Sequence, residues 1–316
     1  MPPPSSLPPL RVVLSSRISA LRALRLDEAL LRAASGAWLV VHDGVEPEAI
    51  VVGLSGRVFF CCCCWLGLLL STLFLSLSHE IRLHLLFKTI QITNQKTHSK
   101  PEELVHREAA SSARVPLIRR FSGGGTVLLG RGCVWATLVG GEEHLPDDVA
   151  GRGPRPLMEW TEKVWSPVFA RIGDFRLREH DYAFGDLKFG GNAQALSKRR
   201  WLHHSSLLWS FDPARMRQLL KQPARAPEYR EGREHGSFLT SLEAQNELAK
   251  KRRGGGNGDG GGSGGVRSFF ESRRHFVDAL APAVASVGGF ELVPTTLEEA
   301  EAVVEGVEHH RSTVVI

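Results

Sequence analysis

Two short stretches of this chain pair a cation with a backbone stripped of side chains. In "DYAFGDLKFGGNAQA", residues 181–195, Lys188 stands just ahead of Gly190 and Gly191. In "RRFSGGGTV", residues 119–127, Arg119 and Arg120 precede Gly123, Gly124 and Gly125. Glycine costs backbone entropy inside an ordinary strand or helix, so such clusters call for a reason. Three glycines in a row let the chain turn sharply and offer N–H groups to an anion with no Cβ in the way. Either stretch alone is an ordinary surface turn. Together they supply arginine, lysine and two open backbones, each beside an expected strand. That set suits a nucleoside triphosphate attacked by a carboxylate, because charge gathers on the α-phosphate in the transition state. Lys188 would bridge carboxylate and phosphate and hold them in line. Asp181, seven residues upstream, is a candidate magnesium ligand or lysine orienter. Asp186 reads as a turn residue. No G-x-x-x-x-G-K-[ST] loop occurs, which excludes a Walker-type site.

These residues need elements to carry them. "LRVVLS" reads as a first strand and residues 18–34 as an amphipathic helix, by the spacing of their leucines. "VPLIRR" reads as a buried strand, "FSGGGT" as a turn and "VLLGRGCVWATLVG" as strand material. In "MEWTEKVWSPVFARIG", Trp165, Val168, Phe169 and Ile172 share one helical face, and Pro167 ends or bends the helix. "FRLREHDYAF" is expected as one strand, the Lys188 motif as a second glycine turn, and "RWLHHSSLLWSFD" as a further strand. "SFFESRRHFVDALAPAVASVGG" gives a late helix with Phe269, Phe276 and Leu280 near one face; the acidic tail beyond Glu298 is helical in propensity.

With 316 residues, 42% hydrophobic and 23% charged, the chain can bury an ample core. Its net charge of +5 suits an anionic partner. No basic and aromatic stripe supports nucleic acid as that partner. Four of the five cysteines are consecutive, Cys61–Cys64, which fits neither a disulfide framework nor a zinc site and suggests a reducing compartment. Arg11, Arg17, Arg22 and Arg25 precede the first acid, Asp27, a faint transit-segment pattern that the helix reading explains better. "VFFCCCCWLGLLLSTLFLSLS", residues 58–78, has no charge and the length of a membrane span. Usage changes at Arg57 and reverts at Lys100, so residues 57–99 read as an insertion, a translated intron in preference to a membrane segment. "GGGNGDGGGSGG", residues 254–265, is a flexible linker whose formal G-x-G-x-x-G (Gly256, Gly258, Gly261) lacks a strand before it.

"RRFSGGGTV" resembles the R-R-x-S-G-G-G-[AT]-V signature of the lipoate–protein ligase A family. "DYAFGDLKFGGNAQA" followed by "RWLHHSSLLW" resembles that family's N-D-x…K-x-[SG]-G-x-A…HH-x-[ST]-x-L stretch, and "LRLDEALLR" its first helix. The chain is thereby identified as a divergent, plant-like member of the biotin/lipoate ligase catalytic domains, and the triple glycine favours lipoate over biotin. The resemblance implies an α/β (α+β) fold with a mixed, largely antiparallel central sheet flanked by helices. It would be built from residues 1–56 and 100–250, with 266–316 as a helical end. It implies a ligase that forms lipoyl-adenylate from lipoate and ATP with Mg2+, then passes the lipoyl group to a lysine of an acceptor domain. Acceptors would be 2-oxoacid dehydrogenase E2 subunits or the glycine cleavage H protein, in mitochondria or cytoplasm.

Residue by residue, Lys188 would be the catalytic cation with Asp181. Arg119 or Arg120, Ser122, Gly123, Gly124, Gly125 and Thr126 would line the adenylate pocket. Gly190, Gly191, Asn192 and Ala193 would allow close backbone approach, and His204 would form a pocket wall. The sequence departs from the family at Leu128-Leu129-Gly130 and Leu54-Ser55-Gly56, where contact residues are usual. That keeps open a feeble or inactive relative that binds lipoyl domains or lipoyl-adenylate. A Cys-dependent octanoyl or lipoyl transferase, with Cys133 as nucleophile, is the remaining alternative.

Overall fold

The apolar alternation of "LRVVLS" forms β1 (Pro9–Ser15), and α1 (Ala20–Ala33) follows, capped by Ser19, whose hydroxyl accepts from Arg22 N at 3.3 Å. The computed structural model describes residues 7–53, 101–223, 226–254, 269–306 and 312–316. All of these belong to one unit made of residues 1–54 and 101–316. The expected insertion at 57–99 lies outside the described residues, as do residues 255–265 of the glycine-rich stretch. Among the described residues no helix is long and apolar enough to cross a membrane.

Strands β2 (Ala37–His42) and β3 (Ala49–Val52), short helices α2 (Pro101–Leu104) and α3 (Arg107–Ser112), and strands β4 (Leu117–Arg119), β5 (Val127–Leu129) and β6 (Cys133–Gly141) come next. Then follow α4 (Pro154–Phe169), β7 (Phe175–Arg178), β8 (Asp181–Phe184), β9 (Leu187–Ser197), β10 (Arg200–Leu208), α5 (Pro213–Leu219), α6 (His235–Phe238) and α7 (Leu242–Gly254). The chain closes with α8 (Arg273–Gly288), β11 (Glu291–Pro294), α9 (Leu297–Val304) and β12 (Val314–Val315). An eight-stranded sheet runs β11-β1-β2-β6-β10-β9-β8-β7. It is parallel from β11 to β2 and antiparallel from β2 to β7, the mixed, largely antiparallel sheet expected. A second sheet, β12-β4-β3-β5, takes β4 from the expected strand "VPLIRR" and β5 from the strand material after the triple glycine; with two to four residues each, its strands carried no sign that they form a sheet of their own.

One face of the large sheet buries aromatic residues against α4 and α8: Trp160, Trp165, Phe169, Tyr182, Phe189 and Phe276 are each at most 3 % exposed. Pro167 sits in the last turn of α4, which ends two residues later. The opposite face packs under α1 through Leu26, Leu30 and Leu31, and under the small sheet through Val51, Ile118 and Leu129. It is on this second face that the chemistry-bearing residues gather.

Two expectations are corrected. "FRLREHDYAF" is a hairpin, β7 and β8, whose turn places Glu179 at φ 55 with no glycine to announce it. Gly190 and Gly191 lie within the eleven-residue strand β9 and form no turn. A Cβ on Gly190 would stand 3.1 Å from Leu207 and Tyr182, tight against two buried side chains.

Candidate active site

The pairing of β8 with β9 decides where Lys188 points. Asp181 pairs with Gly191 and Tyr182 with Gly190, yet Ala183 pairs with Lys188, so Phe189 is an extra residue in β9. In a regular strand, positions 188 and 191 face opposite sides. The bulge cancels that alternation and brings Lys188 onto the face of Asp181 and Gly191, while Phe189 drops into the aromatic core and stacks on Phe184 at 4.4 Å. Lys188 Nζ donates to Asp181 Oδ1 at 2.7 Å and would stand 3.6 Å from a Cβ on Gly191. Gly191 therefore keeps clear the ground over which the lysine lies.

The triple-glycine turn meets the same strand two residues further on. Gly123 N donates to Gln194 O at 3.4 Å, and a Cβ on Gly124 would lie 3.2 Å from Ala193 Cβ and 3.4 Å from Asn192 O. Gly124 has φ +96, which requires glycine; nothing stands within 4 Å of a Cβ on Gly123 or Gly125. Arg120 holds the turn shut: Nε and Nη2 donate to Gly123 O at 3.0 and 2.6 Å, and Nη2 to Gly125 O at 2.9 Å. It is 2 % exposed, and burial lowers its pKa to about 10. Arg119 lies in β4, paired with Val52 and Val314, and strand alternation turns it away from the face that Ile118 packs. Of the two arginines, Arg120 belongs to the turn.

The other candidate residues lie around this strand and the turn. Asn192 directs its side chain to the opposite face, where Oδ1 accepts from Ser205 and Nδ2 donates to His180 O; only its carbonyl reaches the turn. His204 is 2 % exposed. Its Nε2 lies 2.8 Å from Ser122 Oγ, and its ring meets Trp135 edge-on at 4.7 Å. Thr126 Oγ1 is buried with no hydrogen-bond partner. Asp181 is paired with the lysine: Oδ1 accepts from Lys188 Nζ, and Oδ2 accepts from Tyr229 Oη at 3.1 Å. Among the described residues no three His, Cys, Asp or Glu groups converge to hold a metal. No step below uses a metal.

Four neighbours of the site had escaped the sequence reading. Residues 226–240 flank β9, with Thr240 N donating to Lys188 O at 2.8 Å. This segment supplies Tyr229, whose phenol is pushed up first by burial and then by Asp181. It also supplies Arg230, 4 % exposed, stacked over Phe238 at 5.0 Å, with Nη2 buried and unpartnered. His235 is held below its ordinary pKa, first by burial and then by the charges of Arg230 and Lys188. The fourth is Asp27, fully buried, whose Oδ2 accepts from Trp135 Nε1 at 3.0 Å and Thr137 Oγ1 at 2.9 Å. The signal was there: Ala20, Ala23, Leu24 and Leu31 form the apolar stripe of α1, and Asp27 interrupts it.

Cys133 supplies no nucleophile. It is 2 % exposed, and burial pushes its thiol up to about 12, so thiolate is negligible at neutral pH. Cys133→Ala is expected to cost about 1 kcal/mol of stability and leave ligand binding within about twofold, checked by thermal melting and calorimetry.

Residues 94–251, half of the 316-residue chain, match the lipoyl protein ligase A/B catalytic domain. The chain belongs to that family. Within it, the chain is 26% identical over 160 residues to an inactive lipoate–protein ligase 2 of Plasmodium falciparum, a match covering 41% of each. It thus spans about two fifths of that curated relative's length. Its fold is similar to that of lipoate-protein ligase A bound with ATP, with TM-score 0.57 and 14% identity, covering 94% of this chain and 93% of the other. It is similar too to a bipartite lipoate protein ligase studied with its E2 lipoyl domain from Thermoplasma acidophilum, with TM-score 0.55, 16% identity and coverage of 94% and 91%. These likenesses establish the lipoate-protein ligase fold for the large mixed sheet and its flanking helices.

Proposed function

We propose that this family member is an ATP-dependent lipoate–protein ligase. The observation that carries the reading is the lysine amine held by Asp181 over Gly191, on the strand that the triple-glycine turn abuts. A carboxylate and an α-phosphate are both anions and repel each other. An ammonium between them offsets that repulsion and strengthens as charge builds on the phosphate. Asp181 fixes the amine's position, so little reorganisation is needed when substrate arrives. The open side of Gly123 and Gly125 gives backbone access to an anion, and Arg230, buried with an unpartnered Nη2, adds a second cation near the lysine. The product would be lipoyl-adenylate, and the lipoyl group would pass to a lysine of an E2 or H-protein lipoyl domain. Residues 57–99 are taken as an insertion dispensable to this site.

Lipoate-dependent exchange of labelled pyrophosphate into ATP tests the reading directly. Exchange that requires lipoate is the expected result. A second reading is favoured by the inactive name of the Plasmodium relative and by Leu128-Leu129-Gly130, where the family usually carries a polar end. In it the same pocket only binds lipoyl-adenylate or lipoyl domains. Tight calorimetric binding without exchange at any lipoate concentration would select it.

A further inference from the structure

A polar chain runs from α1 to the first residue of the glycine turn, and the anion-binding reading does not use it. Asp27, His204 and Ser122 are each at most 2 % exposed. Hydrogen positions along the chain follow from what each group can donate. The Asp27 carboxylate faces His204 Nδ1 at 3.5 Å while also accepting from Trp135 and Thr137. A ring lone pair aimed at a carboxylate would be repulsive in so dry a place, so neutral His204 carries its proton on Nδ1. Nε2 is then the acceptor, and Ser122 Oγ, at 2.8 Å, is the donor. The Ser122 proton is directed inward, and its oxygen lone pairs are left for a donor arriving at the turn. A carboxylate or phosphate brings no such proton; a primary amine does.

Resting on the ligase reading above, we propose that Ser122, His204 and Asp27 form a relay that removes the proton released when an acceptor lysine attacks the acyl-adenylate. The amine nitrogen bonds to the acyl carbon. Its N–H proton passes to Ser122 Oγ as the Ser122 proton passes to His204 Nε2. The acyl carbon–oxygen bond to phosphate then breaks, AMP leaves with the electron pair, and an amide remains. The imidazolium, stabilised by Asp27, returns its proton to water through Ser122. Ser122 is the catalytic residue here; His204 and Asp27 are positioning residues that act through it. Burial keeps His204 below its ordinary pKa, and the charged groups facing it are Asp27 from α1 and Arg120 from the end of β4. It is therefore neutral and able to accept a proton at neutral pH.

The test supplies preformed lipoyl-adenylate to the full chain with two acceptors, a lipoyl-domain lysine and hydroxylamine. Hydroxylamine is a weak base whose adduct loses its proton to water unaided. Ser122→Ala and Asp27→Asn are expected to lower the ratio of lysine transfer to hydroxamate formation by about tenfold or more. Nitrogen NMR of the wild-type protein is expected to place the His204 proton on Nδ1, a readout that needs no variant to fold. Equal loss with both acceptors, an unchanged ratio, or a proton on Nε2 would overturn the relay. If the wild type transfers to neither acceptor and shows no lipoate-dependent exchange, the ligase reading has failed and the relay falls with it.

Discussion

Lys188→Ala is expected to lower lipoate-dependent pyrophosphate exchange by about a thousandfold, the scale on which a charge-stabilising donor acts in a transition state. The amine is the group placed to meet both reacting anions, and its side chain is 25% exposed, so substrate can reach it. Stability should fall by about 1–3 kcal/mol, because Asp181 is left with Tyr229 alone in a mostly buried position. Lys188→Arg separates charge from shape. It retains a cation for Asp181 and should melt close to wild type. A planar, forked guanidinium spreads its charge over a wider group than an ammonium and does not reproduce the lysine's point charge over Gly191, so exchange should still fall by about a hundredfold. Equal exchange in wild type and both variants would remove the lysine from the mechanism.

How far the site could be read from the sequence follows from which features are local. The two glycine clusters were legible because missing side chains are visible in any single sequence. So were the long elements β1, α1, α4, β10 and α8, whose apolar periods persist for many residues. The face of Lys188 was not legible. One extra residue, Phe189, moves the amine from the aromatic core to the side of Asp181, and a bulge leaves no mark in composition. The β7–β8 hairpin was missed because Glu179 takes the turn that glycine or asparagine would advertise. Tyr229, Arg230 and His235 lie 41 to 47 positions after Lys188 in a polar, irregular stretch. Their convergence on β9 is tertiary. Asp27 was readable in principle, as an acid on an apolar helical stripe, but its partners Trp135 and His204 are set by strand register.

Gly53, the residue that follows β3, carries the second large expectation. A Cβ there would overlap the carbonyl oxygen of Gly124 and stand 3.0 Å from its carbon and 3.1 Å from Arg120 Nη2. Backbone cannot swing aside as a flexible side chain can. The turn has nowhere to go, since Arg120 grips Gly123 O and Gly125 O on one side and Ala193 closes the other. Gly53→Ala should therefore displace the turn and break the Arg120 bonds while the large sheet, built from other strands, stays intact. Lipoate and ATP affinity is expected to drop by about a hundredfold, with a stability loss of only about 1–2 kcal/mol. Hydrogen exchange of a peptide covering residues 122–126 should rise in the variant, and peptides from β6 and β10 should not change. Gly125→Ala is the contrasting case. Its Cβ meets nothing within 4 Å, so melting should be unaffected, yet the methyl would enter the space open to ligand and weaken binding. If Gly53→Ala binds as well as wild type, the close approach between β3 and the turn does not shape the pocket.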